Sequence, residues 1–409
     1  MGIIKSLLDT DQYILTMAQA ILHQCPGTVA KFKFKCRNGT GVIRDSKGMI
    51  APFLDRLDNE IDELCKLRFT EGELEYLSEI RYFKKDFIDI LRLLQLNRNH
   101  IMTYIEDDQL QIEIEGPLFL IVWFEVPVLA IISELLCEDK FDLEKAQRVL
   151  SSKLISMRES SMGYNFTFAD FGTRRRASRS WHEEVIRTSC VEARNHFVGT
   201  SNVFFAMKYD LTPVGTMAHL WFQTWQRMQY RLGLSQQAAL DAWQKEYQGD
   251  LGIALSDIGG FEWFLKDFNL FYAKLFDGCR HDSGDPYWWA KNLIDHYKRL
   301  GIDPTTKVAV FSDGLDFPKA IDLWKTFSGK IKTSFGIGTN LTNDMGLGYV
   351  APQIVIKMVE CNGGPVSKRS DSKGKGMCED PEFNEYFAKV IAEEIENGTF
   401  NKIIQSSRN

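Results

Sequence analysis

Between residues 133 and 345 the chain alternates seven short apolar runs with amphipathic helical stretches. The runs are FTFADFG (166–172), HFVGTS (196–201), LTPVG (211–215), LGIALSD (251–257), KLFDGCRHD (274–282), KVAVFSDG (307–314) and KTSFGIGT (332–339). Repeated βα units predict a parallel sheet, since a helical crossover is what returns the chain to start a parallel neighbour. Polar residues gather just after the apolar runs: 174–176, 200–202, Thr216 and His219, Asp257, 280–285, Asp313 and 336–339. In a (β/α) barrel that face carries the active site. So many convergent polar ends favour a barrel over an open dinucleotide sheet, and neither GxGxxG nor a Walker A sequence occurs.

The flanks read differently. A helix is expected before residue 24, capped by Asp9 or Thr10, with Tyr13 on it. VAKFKFKCR (29–37) alternates as a half-exposed strand does, residues 53–96 are helical in period, and Asp107-Asp108 joins two strands in a hairpin. PLFLIVWFEVPVLAII (117–132) reads as a strand and then a buried helix with Pro127 in its first turn; it is short for a membrane span and contains Glu125. Beyond residue 346, two strand-like pieces flank Asn362-Gly363-Gly364, SDSKGKGM forms a basic loop, and a helix fills 381–397. The expected division is 1–132 as an N-terminal mixed α/β part, 133–345 as the barrel with the active site, and 346–409 as a C-terminal part packing with the N-terminal one.

A net charge of −6 with no long basic block argues against nucleic acid. No signal peptide opens the chain, and no CxxC pair or zinc spacing organises the eight cysteines, so a cytoplasmic protein with reduced thiols is expected.

Chemistry concentrates in five places. In TPVGTMAHLWF (212–222), Thr216 is placed to cap a helix with His219 on its first turn, beside free backbone N–H groups. The same pair suits a plain cap and a buried structural histidine. GIGTNL (336–341) suits a phosphate cradle ending in Thr339, or a tight turn. Asp282, Asp285 and Asp313 suit Mg2+ held partly through water, or helix caps, the cap being the stronger reading for Asp285 before Pro286. Arg174, Arg175 and Arg176 can grip phosphates or form a solvated run, and Arg280 suits a substrate carboxylate. Together these fit a phosphorylated sugar substrate, and they do not fit hydride transfer or a serine-hydrolase triad.

At LLDTDQY (7–13), WFEVPVLAIISE (123–134), DFGTRRR (170–176), FVGTSN (197–202), GTMAH (215–219), RHDSGDP (280–286), FSDGLD (311–316) and FGIGT (335–339), the chain resembles the bacterial-type nicotinate phosphoribosyltransferase family. The motifs span nearly the whole chain in order. The resemblance implies the type II phosphoribosyltransferase fold: an irregular (β/α) barrel with a sandwich-like α+β domain built from the two chain ends. It implies joining nicotinate to 5-phosphoribosyl 1-diphosphate, coupled to ATP hydrolysis through transient phosphorylation of His219, as the entry of nicotinate into NAD salvage. It further implies that Tyr13 stacks on the pyridine ring across a homodimer interface with shared active sites. Thr216 and Arg280 would contact nicotinate, Thr339 the 5-phosphate, and the 174–176 arginines the phosphates. Nicotinamide-using relatives carry an acid where this chain has Ser201; that acid would repel nicotinate's carboxylate. The closest rival reading is the nicotinamide-using enzyme of the same fold. A sugar-phosphate aldolase or isomerase would need a catalytic Lys or Glu at a strand end. A catalytically dead barrel would not need Thr216, His219, Arg280 and Asp282 intact.

Overall fold

The computed structural model describes residues 2–37, 51–161, 165–229, 231–372 and 376–397. Within them the strands are β1 (Val29–Cys36), β2 (Ile101–Glu106), β3 (Gln109–Pro117), β4 (Phe168–Asp170), β5 (Phe197–Thr200), β6 (Ile253–Leu255), β7 (Gly278–His281), β8 (Val308–Phe311), β9 (Lys332–Ile337), β10 (Ile354–Cys361) and β11 (Gly364–Pro365). They form a parallel sheet, β5-β4-β9-β8-β7-β6, and an antiparallel one, β11-β10-β1-β3-β2. The fold is α/β, with a barrel-like parallel unit and a second sheet that takes strands from both chain ends. β1 stitches those ends together by pairing with β3 on one side and β10 on the other.

Six of the seven expected barrel strands form. LTPVG does not, because Pro213 has no N–H to give a ladder. The segment instead spans the gap between the edge strands β5 and β6. Val214 N donates to Thr200 O at 2.9 Å, and the Thr216 hydroxyl donates to Ile253 O at 2.9 Å. This irregular seam closes the ring.

Phe311 and Phe335 are cross-strand partners on β8 and β9, buried, with rings stacked 5.5 Å apart. Such pairs lock strand register, so the loops after β8 and β9 emerge at one level.

Two other expectations change. The stretch after Pro117 is helical throughout: Leu118–Ile121, a 3-10 turn Val122–Phe124, then Glu125–Cys137 with Pro127 in its first turn. A continuous apolar run does not by itself distinguish a buried strand from a buried helix. The stretch Leu118–Cys137 reaches the length and composition of a membrane span, but it is packed inside the protein. The first helix is Gln12–Gln24, with Asp11 at its cap position and no side-chain cap. Asp9, an expected cap, is buried against Arg176, Arg179 and Asn202 instead. The hairpin turns at Asp107-Asp108 and Asn362-Gly363 form with left-handed backbone, as their residue types favour. Lys373 and Lys375 of the basic loop lie outside the described residues.

Candidate active site

The strand ends open into a cavity of about 620 Å³, roofed by the antiparallel sheet. Its walls come from distant parts of the chain: Tyr13 from the first helix, Arg174 after β4, Asp282 and Asp313 after β7 and β8, Thr339 after β9, and Lys357 on β10.

His219 begins the helix His219–Met228, as expected, but Thr216 does not cap it. Ala218 holds the cap position, and the Thr216 hydroxyl is spent on Ile253 O. Thr216 is therefore a seam residue and not a wall of the cavity. His219 is buried, with Nε2 2.7 Å from Asp257 Oδ1 and 3.7 Å from Asp282 Oδ2. Lys368 Nζ lies 3.1 Å from Asp257 Oδ2 and 3.7 Å from Asp282 Oδ2, and Ser283 Oγ donates to Asp257 at 2.6 Å.

The protonation states follow. Burial works to raise the Asp257 pKa, but Lys368, His219 and Ser283 overcome it and hold the carboxyl well below its ordinary value. An ionised carboxylate only accepts, so His219 Nε2 carries the proton and donates it. Burial, then Lys368, pull the imidazole down to about 4 against the opposing pull of Asp257 and Asp282. The ring is thus neutral at pH 7, with a lone pair on Nδ1. His219, Asp257 and Asp282 present ligand atoms within 4.8 Å of one another, a set a divalent ion accepts. However, Lys368 already supplies the cation between the two carboxylates. Mg2+ fits better on the open side of Asp282, whose side chain is 31% exposed, together with Asp313 on the next strand end. Asp285 is a helix cap, accepting from Trp288 N at 2.6 Å.

At the other end, Tyr13 lines the cavity of its own chain. The first helix docks on the seam: Gln12 N donates to Ser201 O at 2.7 Å and Thr16 Oγ to Thr216 O at 2.6 Å. Gly215 has φ 153°, and a Cβ there would meet Tyr13 N at 3.2 Å, so the close approach needs glycine. Tyr13 thus faces the cavity of its own chain. The hydroxyl of Tyr13 and Nε of Arg280 are buried and have no hydrogen-bond partner among the described residues, the kind of group a polar ligand satisfies.

The three arginines divide. Arg176 is sealed from solvent and held bidentately by Asp9 at 2.6 and 2.9 Å, so it is structural. Arg174 lies over the Tyr13 ring, 5.9 Å from its centre, between Asp11 at 3.9 Å and Glu125 at 3.6 Å. Arg175 donates to Ile354 O and to Gln353, each at 3.0 Å. Burial, and then Arg174 and Arg37, draw Arg175 down to about 10. Like charges crowded this way favour an anion between them. Ser201 lines the cavity, but its hydroxyl donates to Asp11 Oδ1 at 2.7 Å. An acid therefore stands beside position 201 after all, with Arg174 as its counter-ion.

The model of the nicotinate phosphoribosyltransferase (NAPRTase) N-terminal domain matches residues 8–133, and that of the NAPRTase family matches 166–394. The chain belongs to the nicotinate phosphoribosyltransferase family. It is 47% identical over 395 residues to the nicotinate phosphoribosyltransferase of Ralstonia pickettii, spanning 95% of this chain and 99% of that relative. The crystal structure of nicotinate phosphoribosyltransferase from Vibrio cholerae superposes with a TM-score of 0.90 at 37% identity, covering 100% of this chain and 97% of that one. The Porphyromonas gingivalis structure gives 0.88 at 33%, covering 95% and 100%.

Of the expected site residues, Tyr13, Arg174, Arg175, Ser201, His219, Arg280, Asp282, Asp313 and Thr339 share the one cavity; Thr216 does not. Sequence reasoning gave no role to Asp257, Lys368, Lys357, Asp11 or Arg37. For Asp257 a signal existed, a carboxylate just after an apolar run. Lys357 and Lys368 stand in the tail and reach the cavity only through the pairing of β10 with β1 and the chain that follows.

Proposed function

We propose that this nicotinate phosphoribosyltransferase family member converts nicotinate, 5-phosphoribosyl 1-diphosphate, ATP and water to nicotinate mononucleotide, diphosphate, ADP and phosphate. The near full-length match to relatives bearing that name carries the reading. The cavity supports the assignment of roles. Tyr13 offers a ring face to the pyridine, and Arg280 a planar fork to its carboxylate. The pyridine nitrogen uses its own lone pair to form the bond to ribose C1 as the bond from C1 to diphosphate breaks, so no strong base is needed. Arg174 and Arg175 steady phosphate charge, and Thr339 the 5-phosphate. Asp282 and Asp313 would hold Mg2+, which when bound neutralises charge on the diphosphate.

In the ATP step, Nδ1 of His219 attacks the terminal phosphorus and ADP departs. Asp257, holding the Nε2 proton, stabilises the positive ring that results; water later takes the phosphoryl group and restores the imidazole. Phosphorylation brings roughly two negative charges beside Lys368 and Asp282, a change able to shift affinity for substrates and products. A homodimer and cytoplasmic residence belong to the same proposal. Val350, which lines the cavity, is exposed, which suits cover by a second copy.

Nicotinamide as substrate is the second reading, favoured by Asp11 beside Ser201, an acceptor for an amide. Arg280, whose Nε has no partner among the described residues, favours the carboxylate. Arg280→Lys keeps the charge and loses the fork. Nicotinate affinity should fall about tenfold, the worth of one charged hydrogen bond, with ATP affinity unchanged. Equal losses for both ligands would remove Arg280 from the carboxylate.

A further inference from the structure

The cavity holds several cations, and most are committed. Arg174 sits between Asp11 and Glu125, Arg175 is tied to Ile354 O and Gln353, and Lys368 bridges Asp257 and Asp282. Lys357 on β10 also lines the cavity, yet among the described residues no carboxylate lies within ion-pair distance of its ammonium. Its cross-strand neighbour Lys33 is neutralised separately, by Glu379 at 2.7 Å and Glu113 at 3.5 Å. A half-buried cation that faces a cavity without a carboxylate partner is unfavourable unless an anion arrives.

Two substrate anions need recognition here, a flat carboxylate and a diphosphate. Arg280 has the planar fork that matches the first. Lys357 has a compact point charge with rotatable donors, which suits phosphate oxygens of varied direction. Its place agrees. The charges acting on it are Glu125 and Arg174 from the Tyr13 end, and Lys368 and Asp282 from the His219 end. The cavity between those ends is where the ribose would join the pyridine nitrogen on one side and the diphosphate on the other. We infer that Lys357 binds the diphosphate, both in the phosphoribosyl donor and as the released product. The inference rests on the proposed reaction and adds to it the residue that holds the leaving group.

The lysine has a signature that an arginine lacks. Burial, with Arg174 and Lys368 against Glu125 and Asp282, draws its pKa down to about 8. It is charged below that pH and loses its charge above it, so its grip on diphosphate weakens as pH rises through 8. Lys357→Arg stays charged throughout.

The test is calorimetric titration with inorganic diphosphate and Mg2+ from pH 7 to 9, alongside steady-state kinetics. Lys357→Met should bind inorganic diphosphate about tenfold more weakly at pH 7, the size of one charge-assisted hydrogen bond. Its KM for 5-phosphoribosyl 1-diphosphate should rise in parallel, while KM for nicotinate moves less than about twofold. Lys357→Arg should bind at pH 7 and lose less affinity than wild type by pH 9. Diphosphate ionises identically in both titrations, so the difference belongs to residue 357. Unchanged diphosphate binding by Lys357→Met overturns the inference, as does a larger loss for nicotinate. If Lys357→Met fails to fold, equal pH slopes for wild type and Lys357→Arg overturn it. A wild-type protein that turns over no nicotinate overturns the proposed reaction as well, and is told apart by needing no variant.

Discussion

Replacing His219 with Asn is expected to abolish the acid-labile, base-stable phosphoprotein that γ-labelled ATP forms with the wild-type chain. Asparagine can still hydrogen-bond to Asp257, so the helix His219–Met228 and its surroundings keep their shape, but no ring nitrogen remains to attack phosphorus. The loss should be complete, since no other histidine lines the cavity among the described residues. The pH course is a second signature. Burial and Lys368 hold the imidazole down to about 4. Wild-type His219 should therefore stay neutral at pH 5.5, where a histidine with the ordinary value of 6.5 would be mostly protonated. Ring 15N chemical shifts measure this directly. The His219→Asn protein should keep some ATP-independent transfer, because the pyridine nitrogen and not the histidine makes the new bond. Labelling of the variant at the wild-type level would contradict the assignment.

The second large effect is on stability. Asp9→Ala leaves Arg176 with its guanidinium fully buried and its bidentate partner gone. Breaking a buried pair from one side costs about 3–5 kcal/mol, because a charge stays uncompensated in low dielectric. Denaturant unfolding should show that loss. The damage should also reach the site, since Asp9 ties the segment carrying Asp11 and Tyr13 to the turn carrying Arg174 and Arg175. Acid should reproduce part of it. Burial works to raise the Asp9 pKa, but Arg176, Arg179 and Asn202 outweigh it and bring it from 3.8 to about 2. A carboxyl lowered on folding contributes stability that is present above 3.8 and lost as pH falls through 2. The contribution is on the order of 2 kcal/mol. A variant as stable as wild type would show that Arg176 finds another counter-ion.

Much of the barrel was legible because strands buried on both faces read as apolar runs, and the polar residues after them had nowhere to point but the cavity. His219, Arg280 and Asp282 were found that way. What failed failed for tertiary reasons. Thr216 has the local pattern of a cap, yet the seam between β5 and β6 takes its hydroxyl. Arg174, Arg175 and Arg176 are indistinguishable in a row, and only Asp9, more than 160 residues earlier, makes the last one structural. Pairing of β1 with β10 brings Lys357 to the cavity, a placement no local spacing encodes. The seam contacts of Gln12 and Thr16 that bring Tyr13 to the cavity are likewise not displayed by a single sequence.

The central claim is ATP-assisted phosphoribosyl transfer to nicotinate, and product analysis tests it most directly. Purified protein would receive Mg2+, 5-phosphoribosyl 1-diphosphate and equal concentrations of nicotinate and nicotinamide, with and without ATP, and the mononucleotides would be separated and quantified. The account predicts nicotinate mononucleotide as the main product, more of it with ATP, and ADP appearing alongside. Nicotinamide mononucleotide as the main product, or ATP hydrolysis with neither mononucleotide formed, would contradict it.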